Sequence, residues 1–489
     1  MALFFFLKRV GWLKEAARWG TCLGVLILLS WILVPSHIAA TSADQAAKPE
    51  PNAVKATAPL SRPEPDLTAG KEAYQTNCAR CHGPTGAGDG FDAKRMFPKP
   101  RNLADGVFKF RTTASGTPPT DEDLFRTLST GLAGSRMPDF NRLPEETRWN
   151  LIAYIKTLST TFGQAPEPVD LGHDPGPEKA GPARGKDLYA QLGCGSCHGI
   201  LGRANGSSAP TLTDNWGNPI WPADLTQAWT YRAGSSPRDI VARMMTGIDG
   251  APMPSYADAF SSKEDAWVLA YYVHSLQEPP HWNRKVEAVK AASLPSSPED
   301  PAWTQVSPTT LRLSSSWYQE GMILPARVGV ISVQALYNEG EILFRLVWHD
   351  PAENRESPPD AVGLFLLPDR RQKLQTGSLR SWPAASAVPA LDVCYWSADR
   401  LQAREAITSG VEGLESGQEA GEGLESSAQY SEGVWTLLLK RPRKSPASGG
   451  VGLAPGKPFL FGITVWEGAN GEKGRHRANS NWVDLVLND

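Results

Sequence analysis

The sequence predicts a multidomain chain, two small all-α domains followed by a C-terminal all-β sandwich, and three observations predict it. First, a Cys-x-x-Cys-His motif occurs twice, as Cys78-Ala-Arg-Cys81-His82 and Cys194-Gly-Ser-Cys197-His198. Second, a Met-Pro pair follows each motif with its methionine 55 positions after the histidine, Met137-Pro138 and Met253-Pro254, which marks an internal repeat. Third, helical periodicity fades after about residue 303 and short β-branched runs replace it.

Taken in chain order, residues 1–43 read as a signal peptide or membrane anchor. Lys8, Arg9, Lys14 and Arg18 precede an uncharged run over residues 20–40. Basic residues stay on the cytoplasmic side, so the bulk of the chain is expected in the periplasm. The apolar core is short for a spanning helix and Ile38-Ala39-Ala40 offers a cleavage site, whereas Phe4-Phe5-Phe6 and Trp12 favour retention. Residues 44–66, rich in Pro, Ala and Lys, read as an extended linker.

The first helical domain is placed at 67–164 and the second at 183–278, with a linker of five prolines over 165–182 between them. Each opens with a helix carrying a glycine and a tyrosine, Gly70 with Tyr74 and Gly185 with Tyr189. Each closes with an amphipathic helix, Trp149 to Leu158 and Trp267 to Leu276. Small and aromatic residues there let the first and last helices cross closely.

Two thiols and an imidazole at this spacing are what covalent attachment of a c-type haem requires: the cysteines form thioethers and the adjacent histidine reaches the iron. Cys78, Cys81, Cys194 and Cys197 are therefore the attachment residues, and two haem c groups are expected. Four of the six cysteines are consumed this way; Cys22 and Cys394 suggest no disulfide framework. Both units resemble class I cytochromes c. That resemblance makes His82 and His198 the proximal iron ligands and Met137 and Met253 the distal ones. His/Met ligation raises the reduction potential and suits outer-sphere electron transfer. Met96, Met244 and Met245 are rival methionines that lack the Met-Pro context. Pro100 and Pro210 stand where such cytochromes place a proline whose carbonyl accepts the proximal histidine's second N–H.

Residues 279–302 read as a third, proline-rich linker, and 303–489 as the sandwich. Val328–Val333, Glu341–Trp348, Val362–Leu367, Val434–Leu439 and Phe459–Trp466 are its strands. Residues 409–433 carry six glutamates, no Lys or Arg and a repeated Glu-Gly-Leu-Glu-Ser, so a disordered insertion is expected there. Met322 precedes a strand, and His349 reads as a turn residue.

Several pieces of this domain resemble the haem-binding γ subunits of the ethylbenzene dehydrogenase and dimethyl sulfide dehydrogenase kind, which accompany molybdenum enzymes of the dimethyl sulfoxide reductase family. They are Glu341 to Asp350, Asp360-Ala-Val-Gly-Leu-Phe365, Val393-Cys-Tyr-Trp396, Gly433-Val-Trp435 with Lys440-Arg-Pro442, Val465-Trp466-Glu-Gly468 and Ser480-Asn-Trp482. The resemblance implies a haem b held between methionine and lysine. Here Arg477 stands in the lysine's place and stays protonated, and 374–382 holds no methionine. Either Met322 and His476 substitute as ligands, or the domain is a docking module without haem.

The resulting expectation is a periplasmic dihaem cytochrome passing electrons between a molybdenum oxidoreductase and a respiratory acceptor such as a cytochrome or oxidase. In that picture the two tethered haems act as a wire, with the proline linkers setting the distance between them. The rivals are a dihaem peroxidase or dehydrogenase with one open haem, and a haem-based redox sensor. The net charge of −3 decides little about partners, and no basic, aromatic-interleaved patch points to a nucleic-acid partner.

Overall fold

The computed structural model describes residues 64–163, 166–316, 326–367, 391–400, 402–408, 414, 424–445 and 447–488. The segment 1–43, nearly all of the linker 44–66, Met322, the stretch 374–382 and most of 409–423 lie outside the described residues. Among the described residues no helix is long and apolar enough to cross a membrane.

The first helical unit contains α1 (Leu67–Asn77), α2 (Ala79–His82), α3 (Asp121–Thr130) and α4 (Glu145–Thr157). After the short α5 (Pro177–Ala180), the second repeats the plan with α6 (Pro182–Gln191), α7 (Gly195–His198), α8 (Pro237–Thr246) and α9 (Lys263–Ser275). The third helix of each unit starts with a reciprocal capping box, Thr120 with Asp123 on α3 and Ser236 with Asp239 on α8, which satisfies free N–H groups at the helix start. The first and last helices cross at a glycine. A Cβ on Gly70 would lie 2.1 Å from the Asn150 carbonyl oxygen, and one on Gly185 would lie 2.4 Å from Tyr272 Cβ. Beside each crossing a buried tyrosine ties the first helix to the residue after the motif. Tyr74 donates to the Gly83 carbonyl at 2.8 Å and Tyr189 to the Gly199 carbonyl at 2.7 Å.

The proline-rich stretch 165–182 is not a free spacer. Val169 N–H donates to the Thr112 carbonyl, and Trp267 Nε1–H donates to that of Leu171, both at 2.8 Å. Proline excludes regular structure without excluding burial, so composition alone could not show this. The two units are locked further by Arg111, whose side chain is wholly buried. Its guanidinium meets Asp249 at 2.8 Å and donates to the Thr246 carbonyl at 2.9 Å, while Arg243 donates to the Arg111 carbonyl at 2.8 Å. Asp249 also accepts from Ser115 Oγ and Gly116 N. The spacing of the helical units is thus set by a packed interface, not by linker length.

Among the described residues, twelve strands form one hydrogen-bonded network. One wing runs β7 (Arg404–Thr408), β6 (Leu391–Ser397), β5 (Ala361–Leu367), β10 (Phe459–Trp466); the other runs β8 (Glu425–Ser431), β9 (Val434–Pro442), β4 (Glu341–His349), β3 (Val330–Tyr337). Strands β2 (Thr309–Ser315) and β11 (Ala478–Ser480) join β3 to β10 on one route, and β1 (Lys285–Lys290) and β12 (Val483–Asn488) on another. The wings face each other across one core. Phe344 of β4 stacks on Phe461 of β10 with centroids 5.6 Å apart, and Trp396 of β6 meets Trp348 and Trp435 at 6.3 and 5.2 Å.

Each of the five expected runs is covered wholly or in large part by a strand, and two boundaries are corrected. The linker 279–302 supplies β1, which pairs parallel with β12 and β3 because Val286 and Ala288 alternate inward. The expected disordered insertion 409–433 ends in β8, held in full register against β9 from Glu425↔Lys440 to Ser431↔Val434. Its polar alternation suits an edge strand with one face in solvent, a pattern masked by the surrounding glutamates and glycines.

Replacing Gly70 with alanine should cost about 1–3 kcal/mol, since the helices must part to admit a methyl group. Gly163→Ala, where no atom lies within 4 Å of the new carbon, should stay within about 0.5 kcal/mol. Denaturant titration of both variants checks the contrast; equal stabilities would refute the close crossing.

Candidate haem-binding sites

In each unit the attachment motif lies at the end of the first helix and in the short helix after it. Both proximal histidines are oriented the same way. His82 Nδ1 lies 2.9 Å from the Arg101 carbonyl, and His198 Nδ1 lies 2.9 Å from that of Ala223. With the proton on Nδ1, the bond fixes the ring and leaves Nε2 as the free donor atom. The acceptors therefore belong to Arg101 and Ala223, not to Pro100 and Pro210. In both units the acceptor follows a proline (Pro100 and Pro222), and Pro222 is the residue that sequence reasoning missed. Burial pushes both imidazoles below their usual range and keeps them in the neutral form that can ligate.

The Met-Pro loops are also built alike. Helices α3 and α8 end at Gly131 and Gly247, with φ of 65° and 66°. A Cβ on Gly131 would lie 2.7 Å from Asp139 N, and one on Gly247 would lie 2.6 Å from Ser255 N. The left-handed turn and the close approach together demand glycine. Leu132 N–H donates to the Met137 carbonyl at 3.1 Å and Ile248 N–H to that of Met253 at 2.9 Å, which fixes each methionine on its loop.

The second unit opens onto a cavity of about 590 Å³, within the range of about 300–1,000 Å³ common for ligand clefts. Cys194, Cys197, His198 and Met253 all line it, with Ile240, Leu269 and Val273 as apolar walls. Lys109, Arg232 and Arg243 face it as cations. Burial, then repulsion from Arg101 and Arg232, pushes Lys109 down to about 8; burial pushes Arg243 down to about 10. An apolar slot with two thiols, a neutral imidazole, a thioether and cations at its rim fits a haem with its anionic propionates. In the first unit Met137 packs against the core that contains Cys78, Leu103, Leu124 and Trp149. Burial pushes the Cys78 thiol up to about 12 and that of Cys194 to about 11, as expected of groups enclosed by apolar surface. Haem c bound there supplies one-electron iron chemistry. The rival Met244 and Met245 are buried in the core, although Met244 also reaches the cavity wall.

The loops carrying the two acceptor carbonyls pack on one another. Phe97 meets Trp221 at 5.4 Å, the Arg101 guanidinium lies 4.0 Å over the Trp216 ring, and Trp216 Nε1–H donates to Asp105 at 3.3 Å. The β domain closes the far side. His349, expected in a turn, is the last residue of β4, and its Nδ1 sits 2.7 Å from Asp224, the neighbour of Ala223. Arg203 donates to the Glu432 carbonyl at 2.9 Å. In the position where the γ-subunit resemblance expects a lysine, Arg477 is buried, with Nε on Asn479 Oδ1 at 3.0 Å and Nη1 on the Gly474 carbonyl at 2.9 Å.

Comparison with known proteins agrees at the level of domains. Residues 67–159 match the cytochrome c family, and residues 180–273 match the family described as cytochrome c oxidase, cbb3-type, subunit III. The chain therefore contains two cytochrome c domains. It is 24% identical over 204 residues to the "Putative respiratory nitrate reductase heme subunit ORF7" of Haloferax mediterranei, covering 40% of this chain and 70% of that one. It is 28% identical over 223 residues to the cbb3-type cytochrome c oxidase subunit FixP of Sinorhizobium medicae, covering 43% of this chain and 60% of that subunit. A solved reducing HAO-like protein complex of Kuenenia stuttgartiensis aligns at 42% identity over 44% of this chain and 98% of its own, with a TM-score of 0.42.

Met137→Ala and Met253→Ala should each remove one share of the near-infrared methionine–iron band while haem stays covalently attached. Gly247→Ala should weaken the Met253 share without touching a ligand. Near-infrared absorbance of the oxidised protein and haem staining after denaturing electrophoresis check this. An undiminished band in either methionine variant would strike that residue from the ligand set.

Proposed function

We propose that this chain is a periplasmic dihaem c-type electron-transfer subunit, passing electrons between an oxidoreductase partner and a respiratory acceptor. The carrying observation is the packing of the two proximal loops, 97–105 and 214–224, against each other through Phe97–Trp221 and Arg101–Trp216. Arg101 and Ala223, which orient the two histidines, belong to one packed body, so two redox centres there would keep a fixed separation. A fixed separation holds the electron-transfer distance constant, and electron transfer asks no residue to act as acid, base or nucleophile. The Met-Pro loop of each unit offers an axial donor, which favours a carrier over an enzyme that must keep a coordination site open.

The relatives named for a nitrate reductase and for a cbb3 oxidase supply the two ends of such a chain, a respiratory oxidoreductase and a terminal oxidase. The γ-subunit resemblance makes a molybdenum enzyme of the dimethyl sulfoxide reductase family the preferred partner, docked at the β domain, here read as a γ-type sandwich. Arg477, tied to Asn479 and Gly474, is not available as an axial ligand. The C-terminal domain is read as a docking module; a haem b there would have to rest on other ligands, Met322 and His476, of which Met322 lies outside the described residues.

A pyridine haemochrome assay on the full chain, matured with covalent haem, should give two c haems and no b haem per polypeptide. Neither haem should shift its reduced spectrum under carbon monoxide. A carbon monoxide shift in freshly prepared protein would replace the carrier with an enzyme, and a stoichiometric b haem would make the β domain a third redox station.

A further inference from the structure

Three segments that the haem sites do not use meet inside the β domain. The end of β4 brings Asp350, the start of β5 brings Asp360 and the end of β10 brings Glu467. All three side chains are fully buried, and one carboxylate oxygen from each lies within 4.8 Å of the others. Asp360 is satisfied: Asn354 N–H, Gly468 N–H and Trp435 Nε1–H donate to it at 2.8, 2.8 and 3.0 Å. The other two are satisfied on one side only. Ala352 N–H reaches Asp350 Oδ1 at 3.2 Å and Asn470 N–H reaches Glu467 Oε2 at 2.7 Å. Asp350 Oδ2 and Glu467 Oε1 are buried and meet no donor among the described residues. Buried carboxylate oxygens without donors are costly and uncommon.

From this geometry we infer that Asp350, Asp360 and Glu467 bind a divalent calcium ion. Oxygens each about 2.4 Å from one ion lie at most about 4.8 Å apart, so three oxygens all within 4.8 Å of one another can share one ion. The donor set is oxygen alone, with no imidazole or thiolate, so it selects a hard cation over zinc or copper. Carboxylates arriving from three separate strand ends suit calcium's loose geometry better than magnesium's strict octahedron. Arg327 supplies only partial compensation: it acts on Asp350 and Glu467, while Glu472, accepting from Arg327 N–H at 2.9 Å, adds another buried carboxylate. Without a cation, burial and mutual repulsion push Asp350 far above the usual carboxylate range and Glu467 up to about 7.

The site also has a structural consequence. Asp350 N–H donates to the Gly433 carbonyl at 2.9 Å and Tyr430 donates to the Asp350 carbonyl at 3.0 Å. Neighbouring His349 and Glu432 are the residues that hold the second cytochrome domain through Asp224 and Arg203. The ion would staple the strand ends on which that domain docks.

The test is calcium content by plasma mass spectrometry and thermal unfolding of the full holoprotein, in EGTA and in added calcium chloride. The wild type should carry one calcium per chain, lose several degrees of melting temperature in EGTA and regain them with calcium. Asp350→Asn and Glu467→Gln should each lose the bound calcium and the calcium-dependent shift while keeping both c haems. The inference is overturned if the wild type holds no calcium and is indifferent to EGTA. It is equally overturned if both amide variants melt higher than wild type at neutral pH in either medium, because that identifies a cluster kept neutral by protons.

Discussion

The arrangement of the redox half of this molecule depends on the wholly buried guanidinium of Arg111. A buried cation is tolerated only where its charge is paired and its N–H groups are satisfied. Asp249 provides the countercharge, and the Phe108, Ala114 and Thr246 carbonyls, drawn from both helical units, accept from the guanidinium N–H groups. The pair is therefore more a device of registry than of affinity. It permits one relative placement of the two cytochrome domains, because any other leaves Arg111 buried without its partners. The proximal loops then meet as aromatic and cation–π contacts, and the linker 166–176 is pressed against both domains.

A second constraint operates inside each domain. The first and last helices approach closely at Gly70, against the Asn150 backbone, and at Gly185, against Tyr272 and the Val268 carbonyl, and Tyr74 and Tyr189 clamp the residue after each motif histidine. Gly131 and Gly247 do the same for the distal loops. The haem-binding residues are thus positioned by contacts that need no haem, which lowers the ordering cost when one is bound.

Much of this was legible in the chain because it is written locally. The two motifs, the spacing of 55 residues and the helix pairs follow from short-range patterns, and so do the β4, β9 and β10 runs of apolar residues. What was missed depends on contacts distant in sequence. Ala223 becomes the acceptor for His198 only because a loop 25 residues away folds back on it. Strands β1 and β8 are too short and polar to announce themselves, and gain their structure from β12, β3 and β9. Asp350, Asp360 and Glu467 each sit in an ordinary strand-end context, and nothing in the chain says that their carboxylates converge. His349 was read as a turn residue because its partner, Asp224, lies 125 positions away.

The central claim is that the two haem-binding domains form one fixed body. Pulsed dipolar electron paramagnetic resonance between the two oxidised haem irons of the full chain tests it most directly. The account predicts a single narrow distance distribution, and a broad one in Asp249→Ala, where Arg111 loses its countercharge. A broad distribution in the wild type, as from two domains on a free proline-rich tether, would contradict it.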